Sequence, residues 1–166
     1  MNISFITPYD DEARRLVHRV KACESAAIRE MAEAMAAKVP AGSFIVPMPS
    51  HDGKRNHSLL LAFEICRICG ATVWTALTGS ARKSQYETKK AGGLLKGDEL
   101  GFRLTVAREE LEGSSILRSN VIIIDDVIGT GETAKAALRL LPEAGVLAYA
   151  MDKAVYQKHN PQNSKI

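Results

Sequence analysis

Apolar and polar positions along the chain alternate between strand-like and helix-like spacing. Ile3 to Ile6 predicts a short strand closed by Pro8. Asp10 or Asp11 can cap a helix starting near Glu12, with Ala13, Leu16, Val17 and Val20 at helical spacing. A break near residues 23–25 separates it from an alanine-rich helix, Ala26 to Val39, ended by Pro40 and Gly42. Ser43 to Val46 reads as a buried strand stopped by Pro47 and Pro49. After the polar loop 50–56 comes a helix from about Ser58 to Cys69, which Gly70 can end in the left-handed conformation. Ala71 to Leu77, Phe102 to Val106 and Val146 to Met151 read as strands, and Thr133 to Leu141 as a helix. Val121 to Ile124 is a continuous apolar run, as in the centre of a parallel sheet.

The segment 78–101 breaks this pattern. It carries Arg82, Lys83, Lys89, Lys90 and Lys96 among five glycines, with little apolar periodicity. A connection that long is expected to be a binding loop or a flexible lid. Strands alternating with helices predict an α/β fold, a parallel-sheet core with flanking helices, a small hood and a lid loop at 78–101. One domain is expected over residues 1–156, followed by a polar tail, 157–166. Ligands of such sheets bind at the carboxyl ends of the strands, which places function in the loops 47–57, 78–101 and 125–133.

Composition narrows the class. With 46% hydrophobic and 25% charged residues, a chain of 166 residues can bury its own core, so a disordered or fibrous class is excluded. No apolar run approaches the roughly 18 residues of a membrane span, and Met1 to Asp10 lacks the layout of a signal peptide. A cytoplasmic protein is expected. A net charge of +3 is too small to imply nucleic acid, and no long basic helix or aromatic-rich strand supports direct nucleic-acid readout. It does suit a small phosphate-rich ligand. Cys23, Cys66 and Cys69 make an odd count, against a disulfide framework. Cys66 and Cys69 form a C-x-x-C pair without the second pair of a zinc ribbon, and are expected to pack on a helix.

The chemistry concentrates in Val121 to Thr133. Four β-branched residues run into Asp125 and Asp126, then Val127 and Ile128, then Gly129, Thr130, Gly131, Glu132 and Thr133 opening a helix. Glycines let the backbone turn tightly around a ligand, and free amides at a helix start attract an anion. The hydroxyls of Thr130 and Thr133 add two donors. Adjacent carboxylates repel a phosphate, so they make sense as acceptors for sugar hydroxyls or as partners of Mg²⁺. A ribose phosphate satisfies both halves of the segment. Elsewhere, His51 and His57 are candidates to touch pyrophosphate or base, and Trp74 is expected in the core. Lys89 and Lys90 read as either a solvated face or a phosphate contact.

This segment resembles the signature of type I phosphoribosyltransferases that binds 5-phosphoribosyl 1-diphosphate (PRPP), with Gly129-Thr130-Gly131 in place of the usual Thr-Thr-Gly or Ala-Thr-Gly. A looser resemblance over about residues 9–150 is to the ComF-like branch. It rests on Tyr9, Arg14, Leu16, Val17 and Lys21, the alanine-rich helix, Phe44 to His51, Ala81 to Gln85 and Leu111 to Gly113. Two features depart from that branch: the chain has no N-terminal zinc ribbon, and Arg55 to Ser58 replaces its Arg-Gly-Phe-Asn stretch.

The resemblance implies roles. Asp125 and Asp126 would hold the ribose 2- and 3-hydroxyls and place Mg²⁺, directly or through those hydroxyls. Gly129 to Thr133, following Val127 and Ile128, would hold the 5-phosphate. Pro49, Ser50, His51 and Asp52 would contact pyrophosphate, in a loop where a strained or cis peptide is common. Arg82 and Lys83 of the lid would join Asp126 as catalytic residues. The implied reaction transfers a phosphoribosyl group to a nitrogenous base and releases pyrophosphate, with Mg²⁺ as cofactor, in a homodimer of nucleotide metabolism. The alternatives are a PRPP-sensing regulatory module and a ComF-like accessory protein of nucleic-acid uptake or metabolism.

Overall fold

A computed structural model describes residues 3–51, 56–81, 85–107, 110, 120–152 and 154–155. Strand β1 (Ile3–Pro8) leads into α1 (Asp11–Lys21). Asp10 caps α1 by accepting from the Ala13 amide at 2.9 Å, with Asp11 and Glu12 in the first turn and His18, Arg19 and Lys21 in the last. This order of charge matches the helix dipole. Cys23, at φ 58, turns the chain into α2 (Ser25–Ala36). Then follow β2 (Phe44–Pro47), α3 (Asn56–Cys69), β3 (Thr72–Val73), β4 (Leu77–Gly79), α4 (Gln85–Lys90), a 3-10 turn at Gly97–Leu100, β5 (Phe102–Leu104), β6 (Val121–Ile128), α5 (Glu132–Leu140) and β7 (Gly145–Met151).

Five strands form one parallel sheet in the order β1-β7-β6-β2-β3, while β4 and β5 pair antiparallel in a separate hairpin. Helices α1, α2 and α3 cover one face, around Met31, Met35, Ile45, Leu61, Ile65 and Ile124. Helix α5 and the hairpin cover the other, around Leu77, Ile123, Leu141 and Met151. The expected α/β architecture with a parallel core is therefore present, and β6 lies at its centre.

Two registers position the site. β2 pairs with β6 from Phe44↔Val121 to Pro47↔Ile124 and stops. β7 stays beside β6 as far as Ile128↔Met151. Proline offers no ladder donor, and past Pro47 only the Met48 amide still reaches Ile124 O, at 3.0 Å. The order runs from β2 outward to β3 on one side and from β6 to β7 and β1 on the other. The β2/β6 boundary is thus the switch point, where parallel sheets open a crevice at their carboxyl ends.

Several boundaries differ from the sequence expectation. The strand expected at 71–77 divides: Thr72–Val73 pairs with β2, while Leu77–Gly79 leaves the sheet to pair with β5. The segment 78–101 is not featureless, since it holds the end of β4, helix α4 and the 3-10 turn, whose Leu100 is fully buried. Gly101, at φ 62, lets the chain leave that turn against Ser80. β6 outruns its expected end by four residues, so Asp125 and Asp126 belong to the strand and not to a loop. Trp74 packs on the second core, edge-on to Phe44 at 6.4 Å.

The loop leaving β2 is fixed from α3: buried Ser58 donates its hydroxyl to Met48 O at 2.9 Å. Ser58→Ala leaves that carbonyl unpaired in the interior, at a cost of about 1–3 kcal/mol. A chain of this size should then melt about 2–4 °C lower per kcal/mol lost. A melting curve identical to wild type would show that the loop is held by other contacts.

Candidate functional site

The paired acids end up in different surroundings although they are neighbours. Asp126 is buried at 6% exposure. Its Oδ1 accepts from the Val127 amide at 2.8 Å. Its Oδ2 is sealed from solvent and has no aligned hydrogen bond, yet lies 3.3 Å from Lys21 Nζ and 3.6 Å from His57 Nε2. Neither contact is an aligned hydrogen bond, which leaves this oxygen under-satisfied. Asp125 is partly exposed, and its Oδ1 accepts from the Asp126 amide at 3.0 Å. Each carboxylate therefore engages the backbone of the residue after it, in the stretch of β6 that β2 no longer covers.

Electrostatics follows from this placement. Burial, and then the adjacent Asp126 charge, push the Asp125 carboxyl well above its ordinary range; Lys21 and the Asp126 amide only partly offset them. Burial works against the Lys21 ammonium too, but the charges of Asp126 and Asp125 outweigh it and raise its pKa. Lys21 ends α1 and His57 opens α3, so helices from two parts of the chain converge on one carboxylate.

The anion half of the site is a turn. Gly131 takes φ 80 as the N-cap of α5, a conformation that disfavours side chains, and it offers no capping group. Thr130 Oγ1 reaches the Glu132 amide only at 3.4 Å. The start of α5 therefore lacks a strong side-chain cap and leaves amide donors under-used. Thr133 is partly buried and Gly129 exposed. Glu132 is engaged elsewhere, in an ion pair with Lys135 at 2.7 Å that lowers its pKa.

The other sequence candidates fall as follows. Pro49 is buried, Ser50 partly buried and His51 exposed at the end of β2, while Asp52 lies outside the described residues. No peptide bond among the described residues is cis. Arg82 and Lys83 also lie outside them. Cys66 and Cys69 are free thiols packed against the α1–α3 core. Burial, with Cys69 adding, pushes the Cys66 thiol up to about 11, which removes thiolate chemistry at neutral pH. Sequence reasoning left Lys21 without a role. It fell within a loose family pattern, and nothing in a helix-ending lysine announces a carboxylate more than a hundred residues away.

Two surface cavities lie away from the acids. One, of about 390 Å³, is lined by Lys135, Leu138, Arg139, Pro142 and Ala144. The other, of about 260 Å³, lies at the opposite ends of the strands, near Ser4, Asn120 and Glu143. Neither gathers titratable groups as the β2/β6 crevice does. Among the described residues, no three His, Cys, Asp or Glu side chains gather as a metal site, and no helix is long and apolar enough to cross a membrane.

No family model and no curated protein matches the sequence. Among solved structures, the chain is similar to an adenine phosphoribosyltransferase from Saccharomyces cerevisiae complexed with adenine and an imino-altritol bisphosphate. The identity is 22% and the TM-score 0.39, over 91% of this chain and 74% of that one. A second adenine phosphoribosyltransferase aligns at 20% identity and TM-score 0.35, over 91% and 75%. Overlap at this level fixes neither family nor substrate, and nothing in these comparisons supports the ComF-like branch.

The raised pKa of Asp125 has a sign that can be checked. An acid whose folded pKa is raised stabilises the fold fully below its unfolded pKa, about 3.9. That contribution is lost as pH rises through the folded value. Asp125→Asn removes the penalty, so the variant should be more stable than wild type at pH 8, by about 2–4 °C for each kcal/mol regained. The gap should narrow steadily as pH falls towards 4. A variant less stable than wild type at pH 8 would mean that the acid is better solvated than this packing indicates.

Proposed function

We propose that the crevice at the carboxyl ends of β2 and β6 binds PRPP with Mg²⁺, and that the chain transfers the phosphoribosyl group to a nitrogenous base with release of pyrophosphate. One observation carries this reading. Two carboxylates stand where β6 outruns β2, and the chain passes from them into a glycine turn that opens α5 without a strong cap. A phosphate alone would be repelled by the acids, and a sugar alone would leave the turn unused. A ribose bearing a 5-phosphate uses both.

The acids also fit the cation. Mg²⁺ usually keeps several waters and takes one or two carboxylates together with substrate phosphates. Asp125, with Asp126 beside it, would be a donor set of that kind, with the remaining ligands coming from PRPP. Bound Mg²⁺ would offset charge on the departing pyrophosphate. The chain's own residues do the rest. Asp125 accepts from the ribose hydroxyls, and its carboxyl ionises more readily once a cation arrives. Asp126, clasped by Lys21 and His57, keeps β6 in place beneath them. The amides from Gly131 to Thr133, with the Thr130 and Thr133 hydroxyls, take the 5-phosphate. Pro49, Ser50 and His51, and with them Asp52, which lies outside the described residues, would contact pyrophosphate. Arg82 and Lys83 bring positive charge to pyrophosphate as it leaves, which favours the transition state over the bound ground state. Holding the ribose and leaving group in line accounts for much of the acceleration, because positioning alone removes several kcal/mol from such barriers.

Addition of PRPP with Mg²⁺ should raise the melting temperature by mass action, and ribose 5-phosphate should raise it less. Asp125→Asn combined with Asp126→Asn should weaken PRPP binding at least tenfold, at roughly 1.5 kcal/mol for each charged hydrogen bond lost. No thermal shift at millimolar PRPP overturns the reading. Pyrophosphate release with a panel of bases then separates a transferase from a module that only senses PRPP. In a transferase, Arg82→Ala should lower turnover by about 100-fold while changing PRPP affinity far less.

A further inference from the structure

The cavity of about 390 Å³ lies along the second half of α5, apart from the acids of the crevice. Its volume falls in the roughly 300–1,000 Å³ range of small-molecule pockets. Leu138, Pro142 and Ala144 give it an apolar lining, and Lys135 and Arg139 give it two cations. Lys135, Leu138 and Arg139 stand at i, i+3 and i+4, which makes them neighbours on the helix surface. Charge and apolar surface therefore share one recess.

The two cations differ in how far they are already used. Lys135 pairs with Glu132 at 2.7 Å. Arg139 is exposed, and among the described residues no hydrogen bond or ion pair engages its guanidinium. Glu132 feels it only at a distance: a hydrogen bond from Lys135 lowers the pKa of that carboxyl first, followed by the charges of Lys135, Lys96 and Arg139. The helix dipole favours a cation in the last turn but takes none of the five guanidinium donors. Gly97 of the 3-10 turn fixes where those donors sit. Arg139 Nη1 lies 3.2 Å from the place a Cβ would occupy at Gly97, so a larger residue there would push the guanidinium aside.

Charge complementarity indicates the occupant. Lys135 and Arg139 face one acid, Glu132, so one positive charge at the cavity is left to be matched. A single carboxylate matches it, and the planar fork of arginine fits a carboxylate with two parallel hydrogen bonds. The rest of such a ligand must be apolar to cover Leu138, Pro142 and Ala144. One spare guanidinium is too little for an anionic membrane, which calls for a polar face rich in lysine and arginine. We propose that this cavity binds a small monocarboxylate with a compact apolar body, its carboxylate on Arg139 and its apolar part against Leu138, Pro142 and Ala144. The site is separate from the crevice and does not depend on what the crevice binds.

Isothermal titration calorimetry of the full chain with 2-naphthoate tests it, with circular dichroism melts confirming that each variant folds. Wild type should bind one equivalent with a Kd of about 1 mM or tighter, the ordinary range for a ligand of this size. The uncharged isostere 2-naphthamide should bind at least tenfold more weakly, because it cannot form the charged pair. Inorganic phosphate at the same concentration should not displace 2-naphthoate, since it has no apolar body. Arg139→Gln should cost 2-naphthoate at least tenfold and leave 2-naphthamide unchanged. Asp125→Asn, in the crevice, should leave both unchanged. Should Arg139→Gln fail to fold, Pro142→Asp puts a negative charge in the lining and should weaken 2-naphthoate by a similar factor. No binding at about 5 mM, equal affinity for acid and amide, or displacement by phosphate overturns the proposal. So does a loss of affinity in Asp125→Asn with none in folded Arg139→Gln, which would put the ligand in the crevice.

Discussion

Two neighbouring carboxylates must be accommodated at the end of a central strand, where water is scarce and each charge raises the energy of the other. The site's construction follows from that constraint. A charge taken from water without a partner costs far more than a folded domain can spare. The acids are therefore balanced from several directions: by the amides of Asp126 and Val127, by the ammonium of Lys21 and by the ring of His57. The balance is partial, because Asp126 Oδ2 still lacks an aligned donor.

The surrounding architecture serves the same need. β2 ends in a proline at the level of Ile124, which uncovers the next two residues of β6 on that side. β7 continues alongside and keeps the exposed half of β6 extended. α1 delivers its cation from a helix carboxyl end, where positive charge is already favoured. α3 delivers His57 and, through Ser58, holds the loop that leaves β2. The crevice floor is thus tied to elements on the helical face of the sheet, so that repacking of α1 or α3 would reach the acids directly.

Much of this was legible in the sequence. Unbroken β-branched runs and helical spacing revealed the parallel core, and Asp-Asp followed by Gly-Thr-Gly revealed the crevice. The illegible features depended on distant partners. Whether β6 ends at Ile124 or at Ile128 is decided by β7, because carboxylates are poor strand formers on their own and only the neighbouring ladder keeps them extended. The divided strand at 71–79 hid for a similar reason: Trp74 to Ala76 look as apolar as any strand, yet Thr105 draws the chain towards β5 through bonds to Ala76 O. The segment 78–101 read as featureless because α4 is polar and short, and the burial of Leu100, one residue among many polar ones, anchors its far end. Lys21 carried no local signal at all.

The register of β1 bears on how the chain folds. This first strand pairs with β7, from Ile3↔Val146 to Pro8↔Met151, and with no other strand of the sheet. β1 has no ladder to join until β7, more than a hundred residues further along, is in place. Their pairing is among the most sequence-distant in the molecule, and such contacts close slowly because a long loop must be ordered first. α1 follows β1 directly, so its cation gains a fixed address at the acids only when the edge of the sheet closes.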